Sequence, residues 1–195
     1  MRTFLSRALL LTVAALGACG TSPTASFYTL GAVAAREDDY PVRPVGVVVT
    51  SVTVPDLVDR PQFVVRVSDN QVKLDEFARW ADPLKSQIPR VIAADLVVLL
   101  PGARVSMYPQ EVDAGAPYRV RVELQRFEGA PGDAATVEAL WVVIPPKGSP
   151  SINGHTLARE PSPGPGYEAL TAAYSKALGD VSRDIAAAIQ ASLSK

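Results

Sequence analysis

From Val45 to Val54 the chain reads Val-Gly-Val-Val-Val-Thr-Ser-Val-Thr-Val and is then closed by Pro55. No other stretch limits the choice of fold as tightly. Side chains branched at Cβ pack well on a pleated surface and are stiff in a helix, so the run predicts a strand. Its first half is apolar at nearly every position rather than at every second one. A strand of that kind is covered on both faces, which predicts a sheet sandwiched by helices rather than one open to water.

The helices this requires are visible as apolar stripes. Tyr167, Leu170, Tyr174, Leu178, Val181, Ile185, Ile189 and Leu193 recur at steps of three or four after the breaker run Pro-Ser-Pro-Gly-Pro-Gly at 161–166. They predict a long closing helix over Tyr167–Leu193 that covers one face of the sheet, with the first helix covering part of another. That first helix opens at Asp82-Pro83, with Asp82 as N-cap and Pro83 at the first helical position, and carries Leu84, Ile88, Val91, Ile92, Leu96 and Leu99. Pro89 inside it removes one backbone hydrogen bond, which leaves either a kink near Lys85 or a second helix starting there. Pro101-Gly102 ends the segment.

The remaining strands follow the period-two rule. Phe27-Tyr28-Thr29-Leu30 suits a first strand or an edge contact, and Phe63–Val67 pairs with Gln71–Leu74 across the turn Ser68-Asp69-Asn70. Arg104–Tyr108 is a short strand. Tyr118, Val120, Val122 and Leu124 alternate with Arg119, Arg121, Glu123 and Gln125, which predicts one buried and one wet face. Thr136–Ile144 places Val137, Ala139, Trp141 and Val143 on one side and Leu140, Val142 and Ile144 on the other. The loop chemistry of Gly129–Asp133 makes these two strands a hairpin. Ser151–Leu157 adds a further strand.

The N-terminus decides where such a domain lives. Arg2 and Arg7 precede the apolar run Ala8–Leu16, whose length of about nine residues suits a secretory signal and falls well short of the roughly 20 needed to span a bilayer. Leu16-Gly17-Ala18-Cys19 then resembles the bacterial lipobox, and it holds the only cysteine in the protein. The resemblance implies that Cys19 receives a diacylglyceryl group, that a peptidase cuts between Ala18 and Cys19, and that the freed amine is acylated. Each buried acyl methylene contributes about 0.8 kcal/mol and one chain alone binds marginally, so two or three chains give stable anchoring. Residues 1–18 are therefore a lipoprotein signal peptide, 19–26 a small polar tether and 27–195 the folded domain. Gly20, where enteric-type lipoproteins retained at the inner membrane carry Asp, favours the outer membrane. With Cys19 lipidated, no thiol remains for a disulfide or a metal, and the fold rests on its hydrophobic core. Removing Arg2 and Arg7 from 19 basic residues leaves 17 against 20 acidic ones, a net charge of −3. That balance displays no basic face and argues against nucleic acid as a partner.

Catalytic signatures are missing. His155, the single histidine, has no cysteine or second histidine with which to share a metal and reads as a solvated or capping residue. Gly-x-Ser-x-Gly, a Walker loop and a dinucleotide fingerprint are all missing, so the sequence points to no catalytic residue, no cofactor and no metal. Asp56-Leu57-Val58-Asp59-Arg60-Pro61-Gln62 brings two carboxylates and an arginine between strands. An exposed turn with an ion pair explains them more cheaply than an acid/base pair. Arg79-Trp80, just before the first helix, has two readings: Trp80 plugs the core, or Trp80 stands exposed as a partner-facing anchor. Asp59, Arg60, Arg79 and Trp80 are accordingly the candidate partner interface.

In order and spacing, the lipobox, Phe27-Tyr28-Thr29-Leu30, the Val-rich strand running into Pro55, Asp59-Arg60-Pro61-Gln62, Arg79-Trp80 with Asp82-Pro83-Leu84 and the long closing helix resemble the PqiC/YmbA-type auxiliary lipoproteins of ABC-type transport systems. The resemblance covers essentially the whole mature chain. It implies an α/β fold: a three-layer α/β/α-like single domain with a mixed β-sheet and a long C-terminal helix, resembling the anticodon-binding-domain-like architecture. It further implies a non-enzymatic subunit at the periplasmic face of the outer membrane, lipid-anchored and assembled as a homo-oligomeric ring. Its partner would be an MCE-domain protein of an intermembrane lipid transport system that supports envelope integrity. An envelope-assembly or cell-wall-binding lipoprotein unrelated to transport is the alternative.

Overall fold

The Val-rich run forms a strand inside the larger of two sheets, as its side chains require. The computed structural model of the chain describes residues 23–35, 42–107, 117–146 and 149–194. Within them the order is β1 (Ser26–Tyr28), β2 (Gly46–Thr53), β3 (Gln62–Ser68), β4 (Gln71–Trp80), α1 (Leu84–Leu99), β5 (Arg104–Ser106), β6 (Tyr118–Gly129), β7 (Ala134–Ile144), β8 (Ile152–Pro161) and α2 (Tyr167–Leu193). β2 lies between β5 and β6 and runs parallel to both, in a five-stranded sheet of order β5-β2-β6-β7-β8 whose last three strands pair antiparallel. A three-stranded sheet of order β1-β4-β3 pairs β1 parallel and β3 antiparallel to β4. Both sheets are thus mixed. The molecule is a single α/β domain with a long C-terminal helix.

Both helices lie on one face of the larger sheet. α1 packs over β2 and β5, α2 packs over β7 and β8, and the two helices pack against each other, which helices on opposite faces cannot do. The expectation that the first helix covers part of another face is corrected accordingly. Val47 and Val49 point into the core beneath the helices, whereas Val48, 1 % exposed, is buried outside that core. The strand is therefore covered on both faces at Val47–Val49, though by helices on one face only. Along β6 the alternation holds from Tyr118 to Leu124, with Arg119, Arg121 and Glu123 exposed on the face away from the helices.

The helix ends differ from their sequence reading in an instructive way. Pro83, with ψ of 136°, is the cap of α1 and Leu84 its first residue. The Pro83 carbonyl accepts the N–H groups of Ser86 at 2.8 Å and Gln87 at 3.1 Å. Asp82 does not cap; its carboxylate pairs with Arg90 at 2.5 Å. α1 continues through Pro89 as one element; the hydrogen bond that Pro89 cannot donate would have gone to the carbonyl of Lys85, an exposed residue of its first turns. At the far end of α2, Arg43 Nη1 donates to the Leu193 carbonyl at 2.6 Å, which puts a cation at the negative pole of the helix.

β3 and β4 pair across Asp69-Asn70, but β4 runs beyond Leu74 to Trp80 through a register shift at Asp75–Arg79. Phe63 stacks on Trp80 with ring centroids 4.0 Å apart, Trp80 meets Phe127 and Tyr174 edge-on, and Phe127 stacks on Tyr174 at 4.1 Å. This run of rings welds the smaller sheet to β6 and α2, and one continuous apolar core spans both sheets. Among the described residues no helix is long and apolar enough to cross a membrane.

Candidate functional site

After β1 the chain leaves the smaller sheet and crosses the seam between α1 and α2 as an irregular strap, Thr29–Ala35. Such a strap has no ladder to satisfy its backbone N–H groups, and buried N–H groups need acceptors. Polar side chains on the inner faces of the two helices supply them. Leu30 N–H donates to Gln87 Oε1 at 2.8 Å, and Gly31 N–H to Ser175 Oγ at 3.1 Å. Val33 and Ala34 N–H both donate to Asp95 Oδ1, at 3.0 and 2.9 Å. Gln87 is itself fixed by donating from Nε2 to the Asp82 carbonyl at 2.6 Å. On α2 the Ser182 hydroxyl lies 3.1 Å from Asp95 Oδ2 and 2.9 Å from the Leu178 carbonyl.

The geometry follows from helical spacing. Gln87 and Asp95 stand two turns apart on one face of α1, among Ile88, Val91, Ile92 and Leu96. Ser175 and Ser182 stand likewise on α2. Asp95 is fully buried. Burial pushes its carboxyl above the usual carboxylate range, while the Ala34 N–H, the Ser182 hydroxyl, the Val33 N–H and the Arg183 charge act against that rise. The Leu30 side chain is buried in the core beneath the strap. Beside the strap lie two open grooves, one of about 270 Å³ against α1 and one of about 540 Å³ against the start of α2, the latter rimmed by Phe27 and Val33.

A second polar joint holds the start of α2. Tyr167 donates its hydroxyl to Asp75 Oδ2 at 2.8 Å, and Asp75 Oδ1 accepts the N–H groups of Phe77 and Ala78. The Tyr167 hydrogen bond is the main cause that holds the Asp75 carboxyl below its ordinary value. Burial and the same carboxylate push the Tyr167 hydroxyl far up.

Cys19 and Ala18 lie outside the described residues, as do Gly20 and Tyr108. The two short motifs are brought together: the first residue of β3, Gln62, pairs with Arg79, and Trp80 N–H donates to the Pro61 carbonyl at 2.7 Å. Asp59 forms its ion pair with Lys85 at 2.5 Å rather than with Arg60, and that pairing raises the Lys85 ammonium above its ordinary value. The Arg60 Nε is buried and has no hydrogen-bond partner among the described residues. Arg79 donates to the Glu76 carbonyl and lies 3.5 Å from the Glu76 carboxylate. Trp80 is 5 % exposed, so of its two readings the core plug describes it and an exposed anchor does not. His155 Nε2 lies 2.9 Å from Glu138 Oε1 on the wet face of the larger sheet. Among the described residues no three His, Cys, Asp or Glu side chains converge as a metal site would require.

Gln87, Asp95, Ser175 and Ser182 were missed by a reading that followed only the apolar stripes. The signal was present: a carboxylate among apolar neighbours at Ala94-Asp95-Leu96 demands buried partners. What the site can do is hold backbone, and the backbone it holds is the segment that leads back to Cys19.

A family model described as an ABC-type transport auxiliary lipoprotein component matches residues 28–186. A crystal structure of an uncharacterized protein superposes with a TM-score of 0.71 at 24% identity, covering 86% of this chain and 99% of the other. A protein of Xanthomonas campestris assigned to the family model DUF330 superposes with a TM-score of 0.67 at 17% identity, covering 87% of this chain and 98% of its own. These likenesses show a shared fold. No curated protein matches the chain.

Proposed function

This chain belongs to the family of ABC-type transport auxiliary lipoprotein components, and on that premise we propose that it is a non-enzymatic subunit of an MCE/ABC-type intermembrane lipid transport system, held by acyl chains on Cys19 at the periplasmic face of the outer membrane. Residues 1–18 are removed on export, 19–26 carry the tether, whose last residue Ser26 opens β1, and 27–195 are the domain that meets the MCE-domain protein and copies of itself. The supporting observation is the clamp on the strap. Four backbone N–H groups of Leu30–Ala34 are bound by side chains of two helices. A domain positioned by its anchor needs its anchored segment seated rigidly in the fold, and an accessory subunit works by position rather than by bond chemistry.

The partner-facing surface lies around Asp59, Arg60 and Arg79, where β3, β4 and α1 meet, with Trp80 supporting it from inside. Cys19→Ala is expected to move the protein out of the membrane fraction of its native host. Affinity purification of the wild-type protein from solubilised envelopes is expected to recover an MCE-domain protein. Retention of the Cys19→Ala protein in membranes would overturn the anchor, and repeated purification without any MCE-domain partner would overturn the transport role.

A further inference from the structure

Phe27 is the first large side chain after the tether, and it is 65 % exposed. Its neighbour Tyr28 turns inward, edge-on to Phe63 at 5.3 Å, so strand alternation sends Phe27 outward. Phe27 pairs in register with Arg79, while Ser26 pairs with Ala78. Phe77, one position before Ala78, is 48 % exposed and sits in β4 at the register shift, where Asp75 accepts the Phe77 and Ala78 N–H groups at 2.9 and 3.1 Å. The two phenylalanines thus stand on the outward face of β1 and its neighbour β4, where the chain from Cys19 arrives. Neither ring is needed to hold the fold, since β1 is already fixed by Tyr28, by its pairing with β4 and by the clamped strap.

Resting on the lipid-anchor reading, we propose that Phe27 and Phe77 insert into the interfacial layer of the leaflet that holds the Cys19 acyl chains. Phe27 follows Cys19 by eight residues. Fully extended, such a segment spans at most about 29 Å. The headgroup layer on each side of the hydrocarbon core is itself about 6 Å deep. The two rings are therefore never far from the bilayer, which makes their insertion an intramolecular event at high effective concentration. Phenylalanine is among the side chains that bury at that depth in interfacial elements. A protein partner would have to be brought to this face; the bilayer comes with the chain. Docked this way, the domain presents the outward face of β1 and β4 to the membrane, and the strap fixes the rest of the fold relative to that face.

The test uses the full-length acylated protein. With Cys19 acylated, Ser26→Cys introduces the only free thiol, which takes an environment-sensitive fluorophore next to Phe27. The labelled protein is reconstituted into vesicles of phosphatidylethanolamine and phosphatidylglycerol that carry a nitroxide lipid. Blue-shifted emission with strong nitroxide quenching is expected, and Phe27→Ser with Phe77→Ser is expected to return the probe to water-like emission while the protein still pellets with the vesicles and keeps its circular dichroism. Vesicle-bound protein with a water-like, unquenched probe would overturn the insertion and leave the anchor standing. Protein that is unmodified at Cys19 and stays in the supernatant would overturn the anchor and the insertion with it.

Discussion

Asp95 carries the main cost of the clamp. Its Oδ1 accepts two strap N–H groups, so Asp95→Ala strands both and is expected to destabilise the fold by about 2–4 kcal/mol in urea titration. Asp95→Asn keeps the Oδ1 acceptor and its amide can donate to Ser182 Oγ, so it is expected to cost much less. The pH dependence separates the two roles of the carboxylate. Because burial raises the folded carboxyl above its unfolded value, the native state holds the proton more tightly. Its contribution to stability is fully present below the unfolded carboxylate value and is lost as pH rises through the folded one. Asp95→Asn removes that titration, so its stability relative to the wild type is expected to improve from acid toward neutral pH, as parallel denaturation curves at several pH values will report. A difference that stays flat with pH would mean that Asp95 does not titrate in this range. The same residue teaches what a stripe-based reading overlooks: Asp95 is informative because it breaks the apolar pattern of α1.

At the scale of elements, β7 and β8 are locked to α2 through one ring. Trp141 Nε1 donates to Thr156 Oγ1 at 2.9 Å, and that hydroxyl donates in turn to Asp184 Oδ2 at 2.5 Å. The indole lies across Gly154, its register partner in β8, where an added Cβ would fall 2.0 Å from the ring. The glycine is needed for space, since the ring occupies the volume that any side chain would take. Gly154→Ala is expected to displace Trp141, break the Thr156 bridge and cost about 1–3 kcal/mol. In a cycle with Trp141→Leu the two losses are expected to be strongly non-additive, and simple additivity would show that the ring and the glycine do not interact. β8 was legible as a strand, yet it extends past Leu157 to Pro161, because its length is set by pairing with β7 out to Ala134.

For the whole molecule, the consequence of one shared core is cooperative unfolding. Trp80 reports on the smaller sheet and Trp141 on the larger, and both belong to the same buried cluster. Single-tryptophan proteins made by Trp141→Phe and Trp80→Phe, each normalised to its own stability by circular dichroism, are expected to show one transition by both probes. Separate fluorescence and dichroism midpoints would mean that the sheets unfold independently. Several features at this scale were fixed by local chemistry and could be read in the chain: the β2 strand, the alternation from Tyr118 to Leu124, the β6–β7 hairpin, the closing helix, and the family resemblance that the match over residues 28–186 bears out. Each depends on side chains a few positions apart, so spacing alone encodes it. Contacts between distant positions decided the rest. Which face receives α1, whether Trp80 turns in or out, whether Asp82 caps a helix or pairs with Arg90, and how Gln87, Asp95, Ser175 and Ser182 close on Leu30–Ala34 all depend on partners brought together by folding, for the strap across 57 to 144 positions of sequence. A side chain's own neighbours state whether it prefers burial, but only the packed structure states what it is buried against.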